Sequence, residues 1–411
     1  MAKVLISFLG TGRQNRKNDL SLPLSQRKYD STKYLIDGRT YETPFVAAAL
    51  SEHYNVDKVF MIGTVHSMWE EVYNCYSHMN NQKIDEDVYL ELGSYCETAN
   101  SSSDLDIPYK DVVEKALGGK SKVILIKYGL SQEEIEENIK IILKINDLLN
   151  TGDELIVDVS HSFRSLPLMI MNLLIYIKGV SRKSITLKHI HYGMLEVVGE
   201  LGYAPIVDLE SLIDVNDWIS GASAFAEYGN AYRLAELLQS KEPALAARLR
   251  RFSDVLNLNH LNGTYRLVKE SEGLAEIHSP FAKLIVEPIL NAFVRNFKNC
   301  KNEAQFQFCL AKWQYEHKNY LSSYVSLAES YVTLVCDKYG YDWTLYKLRD
   351  KGKERLMNEP SLAELHKLYD AVRSERNNLA HCLEADKSYK DMISLLKERI
   401  KQSEPWFNQK I

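Results

Sequence analysis

The chain has 411 residues, of which 45% are hydrophobic and 26% charged, with a formal net charge of −5. That length is enough to bury the cores of two domains, and the ordinary charged share excludes global disorder. The net acidity excludes a protein that coats nucleic acid nonspecifically, so a site for RNA or a nucleotide has to be a local patch.

Short runs rich in Val and Ile recur at 3–8, 58–62, 122–127, 154–159 and 185–192. Their hydrophobicity is continuous rather than alternating, which predicts strands buried on both faces of a parallel sheet. Helical segments fall between them at 44–53, 65–76, 109–117, 132–149 and 166–178. Strand followed by helix is the pattern of an open, doubly wound α/β domain. Asp37-Gly38, set between β-prone residues of 29–41, signals a hairpin that decorates the first crossover. From about residue 215 helical spacing takes over, at 218–238, 244–258, 281–296, 303–318, 320–338 and 362–383. The second half is therefore expected to be an all-α bundle. The boundary falls within 208–217, giving domains of 1–215 and 216–411.

Cys75, Cys96, Cys300, Cys309, Cys336 and Cys382 show no Cys-x-x-Cys spacing. That disfavours a disulfide framework and a zinc ribbon, and it suits a reducing cytoplasm. The first apolar run meets Gly10 too early for a signal peptide, and no stretch approaches the roughly 20 residues of a spanning helix. The expectation is a soluble, cytoplasmic protein that makes no use of a membrane.

In open α/β sheets ligands bind beyond the carboxyl ends of the strands. The residues there are Gly10-Thr11-Gly12, Gly63-Thr64, Ser160-His161-Ser162-Phe163-Arg164 and Tyr192-Gly193. Glycine permits close backbone approach, hydroxyls and amides hold phosphate, and His161 and Arg164 add donors where Pro167 helps a helix begin. Together they make a nucleotide or phosphate cradle. Gly10-Thr11-Gly12 taken alone is also plain turn chemistry, and it is not the dinucleotide fingerprint. The stretch 158–164 is the stronger signal, because polar and ionisable residues between a buried strand and a buried helix are costly outside a site. A serine hydrolase is excluded, since no Gly-x-Ser-x-Gly occurs.

In the helical half, Leu365, Leu368, Tyr369, Val372, Leu379 and Leu383 form one apolar stripe, and Arg376 falls inside it. An arginine there needs a partner, a second chain or an anionic substrate. Asn377 and His381, four apart, share a face, while His381 lies roughly 140° around from Arg376. Arginine, amide and histidine suit metal-independent RNA cleavage, in which the 2′-hydroxyl attacks the adjacent phosphate. An interhelical salt bridge and an ordinary surface histidine account for the same spacing. His66, His189, His191, His260 and His317 have no carboxylate or cysteine at ligand spacing, so no metal site is expected. Lys347, Arg349, Lys351, Lys353 and Arg355 read as a solvated face, or as a guide for RNA.

With Gly10-Thr11, Gly63-Thr64 and Asp158-x-Ser160-His161-x-x-Arg164 ahead of Arg376-Asn377-x-x-x-His381, the whole chain resembles a CRISPR-associated CARF–HEPN ribonuclease of type III systems. The resemblance implies a Rossmann-like CARF domain with an open, mostly parallel sheet, followed by an all-α HEPN domain. It implies that the first domain binds a cyclic oligoadenylate, with cyclic tetra-adenylate favoured by family frequency. The second domain would cut single-stranded RNA without a metal, leaving a 2′,3′-cyclic phosphate. Arg376, Asn377 and His381 would then be catalytic. Gly10, Thr11, Gly63, Thr64, Ser160, His161, Arg164, Tyr192 and Gly193 would contact the activator, which needs no other cofactor. Ser160 stands where threonine is frequent, and the hydroxyl is kept. Because an even-membered ring can share a two-fold axis, a homodimer or higher even oligomer is expected, with Arg376 and His381 pooled across it. A sensing regulator that does not cut RNA is the rival reading, and an enzyme acting on the nucleotide in the α/β half is a third.

Overall fold

The continuous apolar runs become five adjacent strands of an eight-stranded sheet. Its strands are β1 (Lys3–Leu9), β2 (Thr32–Ile36), β3 (Arg39–Thr43), β4 (Lys58–Gly63), β5 (Lys122–Leu125), β6 (Glu154–Asp158), β7 (Thr186–Gly193) and β8 (Ala204–Asp208). The order is β3-β2-β8-β7-β6-β1-β4-β5. Five neighbouring pairs are parallel; β2–β3 and β7–β8 are antiparallel. The computed structural model describes residues 1–12, 29–161, 163–271, 277–380 and 388–408. It divides into two units, Met1–Ile213 and Asp214–Ile411.

β1 shows why its residues are apolar apart from Lys3 at its start and Ser7. Val4, Ile6 and Phe8 face one core with Ile142, Ile170 and Leu173 of helices Gln132–Leu143 and Leu166–Gly179. Leu5 and Leu9 face a second core with Val46, Leu50, Val72 and Val113 of helices Val46–Tyr54, Trp69–Met79 and Lys110–Leu117. A strand covered on both sides holds a polar residue in its interior only where a partner satisfies it, as Asp158 does Ser7. With the β2–β3 hairpin set aside, the crossover from β1 to β4 runs to one side of the sheet and that from β6 to β7 to the other, so a crevice opens beyond the carboxyl ends of these adjacent strands.

The hairpin forms at the expected place, with Asp37 (φ 47°) and Gly38 (φ 79°) in its two-residue turn. It is more than a decoration. β2 pairs in parallel with β8, Tyr34 opposite Ala204, so the hairpin extends the main sheet. β8 itself was not anticipated, because it is short and carries Pro205, which demotes a run from strand status. Helix Glu86–Thr98 was also missed; it buries only Leu92, Gly93 and Cys96 and has little apolar periodicity to read.

Helices make up the regular structure of the second unit, and no strand occurs among its described residues. Trp218, Phe225, Leu249, Phe293 and Trp313 build one core. Tyr324, Leu327, Tyr331, Leu365, Val372 and Leu396 build another. The span expected as one helix over 218–238 is broken after Tyr228. Gly229 there adopts φ +69°, and a Cβ would lie 2.9 Å from both Leu256 Cδ1 and Trp313 Cη2. The basic stretch forms helix Tyr346–Asn358, where Arg349 pairs with Glu329 while Lys347 and Lys351 stay exposed. No helix of the described residues is long and apolar enough to cross a membrane. Cys75, Cys96, Cys300, Cys309 and Cys336 are free thiols, and Cys382 lies outside the described residues.

Candidate functional site

A cavity of about 390 Å³ occupies the crevice beyond β1, β4 and β6. Gly10, Thr11, Gly63, Thr64 and His161 line it, with Gly12, Ser67, Met68 and Phe163. Asp30, Thr32, Tyr34 and Pro44 form another part of the lining, supplied by the hairpin and its flanks. The sequence pattern gave no reason to look there, because the hairpin was read as peripheral. Among the described lining residues there is no lysine or arginine. Arg13, Arg16, Lys17, Arg27 and Lys28 follow Gly12 in the chain but lie outside the described residues.

The two glycine loops are tied to each other. Ser67 Oγ donates to the Leu9 carbonyl (2.9 Å) and accepts the Thr64 N–H (3.1 Å). Trp69 Nε1 donates to the Thr64 carbonyl (2.8 Å), and the Met68 N–H to that of Gly10 (3.1 Å). Gly63 is required by close approach: a Cβ would lie 2.8 Å from Trp69 Cζ2 and 2.9 Å from Ser67 Oγ.

The β6 loop hangs from Asp158, which is fully buried. Its Oδ1 accepts the Ser160 N–H (2.9 Å) and hydroxyl (2.5 Å), and its Oδ2 accepts the Ser7 hydroxyl (2.6 Å). The Ser160 oxygen in turn accepts the Gly193 N–H (2.6 Å), lacing β6 to β7. Ser160, Tyr192 and Gly193 thus stand behind the cavity wall rather than on its lining, and the Tyr192 hydroxyl donates to Glu196 (2.8 Å). Arg164 is exposed and is not among the lining residues. His161 Nε2 faces the Val46 N–H at the start of a helix (3.4 Å). Burial pushes the His161 imidazole below its usual range, against the pull of Asp158 and Glu196. The ring is therefore neutral near pH 7 and offers one donor and one acceptor instead of a charge.

In the second unit, helix Ala363–Ala380 carries Arg376 and Asn377, both half-buried. Arg376 Nε is buried with no hydrogen-bond partner among the described residues. His381 lies outside the described residues, as does Leu383. Two details differ from the expected stripe. Leu379 is 36% exposed, so the apolar face ends before it. Glu375, not singled out from the sequence, is 5% exposed and takes a place in that face. It can do so because Arg399 of helix Tyr389–Asn408 reaches across to it, Nη2 to Oε1 at 3.3 Å.

Comparison with known proteins places these two units. Residues 4–196 match the family model described as the CARF domain of the CRISPR system endoribonuclease Csx1, and residues 214–304 match that of the second domain of CRISPR-associated protein MJ1674. Over 97% of its length the chain is 32% identical to CRISPR-associated protein MJ1674 of Methanocaldococcus jannaschii, and it spans 66% of that protein's length. Among solved structures, Enterococcus italicus Csm6 bound to cyclic hexa-2′-fluoro-hexa-dAMP is similar over 99% of this chain and 94% of that one. The TM-score is 0.40 at 9% identity, a likeness too slight to argue from.

Proposed function

Starting from a CARF-containing, CRISPR-associated chain similar to Csx1 and MJ1674, we propose that it is a cyclic oligoadenylate-activated endoribonuclease. In this reading it cuts single-stranded RNA without a metal ion in type III CRISPR defence. The observation that carries the reading is the cavity at the switch point of the sheet, lined by Gly10, Thr11, Gly63, Thr64 and His161. At about 390 Å³ it sits near the lower end of the roughly 300–1,000 Å³ of ligand sites, so one chain encloses part of a cyclic oligonucleotide rather than all of it. Two chains related by a two-fold axis would hold an even-membered ring between them, which supports a homodimer. Backbone amides and threonine hydroxyls are the donors for phosphate here, with neutral His161 a further hydrogen-bonding group.

The cutting step belongs to Arg376, Asn377 and His381. A histidine exchanges protons with the 2′-hydroxyl and the departing 5′-oxygen, and a guanidinium holds the charge that gathers on phosphorus. The unpartnered Arg376 Nε supports that role, because a buried donor without a partner is one kept for a ligand. Activation is a shift between two arrangements of the dimer, limited by how much better the ring binds one of them.

The test is purified full-length protein with labelled RNA in chelator, alone or with cyclic tri-, tetra- or hexa-adenylate. Cleavage is expected with one ring size, tetra-adenylate, leaving 2′,3′-cyclic phosphate ends. His381→Ala and Arg376→Ala should each lower the rate by about 100-fold or more. RNA that stays intact with every ring, or that His381→Ala cuts as fast as the parent, overturns the proposal.

A further inference from the structure

Away from the cavity, β7 and β8 bring together a donor set that linear spacing hides. His189 and His191 are two apart on β7 and point to the same face, and Asp208 on β8 pairs in register with His191. One ring nitrogen of each histidine and one carboxylate oxygen of Asp208 lie within 4.8 Å of one another. A bulge in the β6–β7 pairing precedes them: Leu155 opposes Leu187, whereas Ile156 opposes His189. The extra residue, Lys188, lets Leu187 and Ile190 share one core while His189 and His191 face the other way. Bulges that re-aim side chains accumulate at sites.

The outer atoms of the set are already held. Tyr54 OH meets His191 Nε2 at 2.8 Å, and Asp208 Oδ1 accepts the N–H groups of Glu210 (2.9 Å) and Ile190 (3.3 Å). His191 is 3% exposed, and its buried Nδ1 has no hydrogen-bond partner of ordinary geometry among the described residues, the Val207 backbone being the polar group that acts on the ring. His189 Nδ1 and Asp208 Oδ2 meet at 2.6 Å, and each of these side chains is about a third exposed. The arrangement thus has inner ligand atoms, outer partners that fix them, and a route to solvent.

We infer that His189, His191 and Asp208 form a binding site for a divalent transition-metal ion, with His191 Nδ1 as its buried ligand. Two imidazoles and a carboxylate suit zinc and its neighbours better than magnesium or calcium. Bonds of about 2.0–2.1 Å around a tetrahedral ion place ligand atoms about 3.3 Å apart. The set therefore closes by about an ångström or so, and the His189–Asp208 hydrogen bond opens as the ion replaces its proton. Water completes the coordination on the exposed side. The ion would clip β7 to β8, one of the two antiparallel pairs in a mainly parallel sheet.

The test titrates untagged, chelator-stripped full-length protein with Zn²⁺, with Co²⁺ as a spectroscopic probe and Mg²⁺ as a control. One Zn²⁺ per chain, a visible Co²⁺ spectrum and a raised melting temperature are expected, with no comparable response to Mg²⁺. His191→Ala and His189→Gln should each weaken Zn²⁺ by more than tenfold and abolish the Co²⁺ bands. Tyr54→Phe should weaken Zn²⁺ by about tenfold through the outer contact. If His191→Ala fails to fold, the part-exposed His189→Gln decides alone. Absence of stoichiometric Zn²⁺ uptake, or uptake that His189→Gln leaves unchanged, overturns the inference.

Discussion

Two buried carboxylates, one in each unit, adjoin the residues on which the proposed function rests, and they are held in opposite ways. Asp158, at the end of β6, accepts hydrogen bonds from Ser7, Ser160 N–H and the Ser160 hydroxyl, so both of its oxygens are engaged. Glu375, beside Arg376, has one oxygen 3.3 Å from Arg399 Nη2, while Oε2, Arg399 Nε and Arg376 Nε are buried with no hydrogen-bond partner among the described residues. Burial first, and the neighbouring Glu375 charge second, push the Tyr324 phenol up and keep it protonated. The first arrangement is saturated and fixes a loop in one geometry. The second holds unspent donors and acceptors, which a substrate or a second chain can satisfy. Under the proposed function, a rigid rim suits a sensor, and groups with capacity to spare suit a cutting site.

Asp158→Ala should produce the largest effect on that contrast. It strands two hydroxyl donors and an N–H inside the sheet, costing about 4 kcal/mol in denaturant unfolding. A loss below about 1 kcal/mol would show that the loop does not hang from this carboxylate. Glu375→Ala comes next, at about 2–3 kcal/mol, because Arg399 loses its buried partner. The double variant Glu375→Leu with Arg399→Met should recover most of that stability, since an apolar pair of similar size replaces the ions. If the contrast holds, the double variant stays folded but responds less to activator in the RNA assay; unchanged activity would assign the pair to packing alone.

The smallest effect is that of pH on His161. Burial holds its folded pKa below the unfolded value of about 6.5, so the unfolded chain takes up a proton that the folded one refuses. Stability consequently rises with pH below about 6.5 and falls as acid is added. His161→Gln should flatten that part of a melting-temperature profile, and an unchanged profile would mean that the ring is not sheltered.

Much of the first unit could be read from its strands. Inside their ends β1, β4 and β6 are apolar except for Ser7 because they are covered on both faces, and that pattern survives in a single sequence. The loops after them led to Gly10, Thr11, Gly63, Thr64 and His161 on the cavity. Asp30, Thr32 and Tyr34 were not legible, because β2 reaches the site only by pairing with β8, a strand disguised by Pro205. Asp208 stayed out of sight for the same reason, leaving His189 and His191 with no visible carboxylate. Around Arg376 the angular argument placed the arginine on the buried face. Periodicity could not foresee Glu375 beside it, since a carboxylate enters such a face only when a distant residue, Arg399, neutralises it.

The pairing of β2 with β8 has a mechanical consequence. Tyr34 and Thr32 touch the cavity, and Tyr34 is bonded through its strand to Ala204. β8 is the last strand of the sheet and ends at Asp208, only a few residues before the second unit begins at Asp214. The hairpin that lines the cavity is therefore hydrogen-bonded directly to the strand from which the chain passes into its second half.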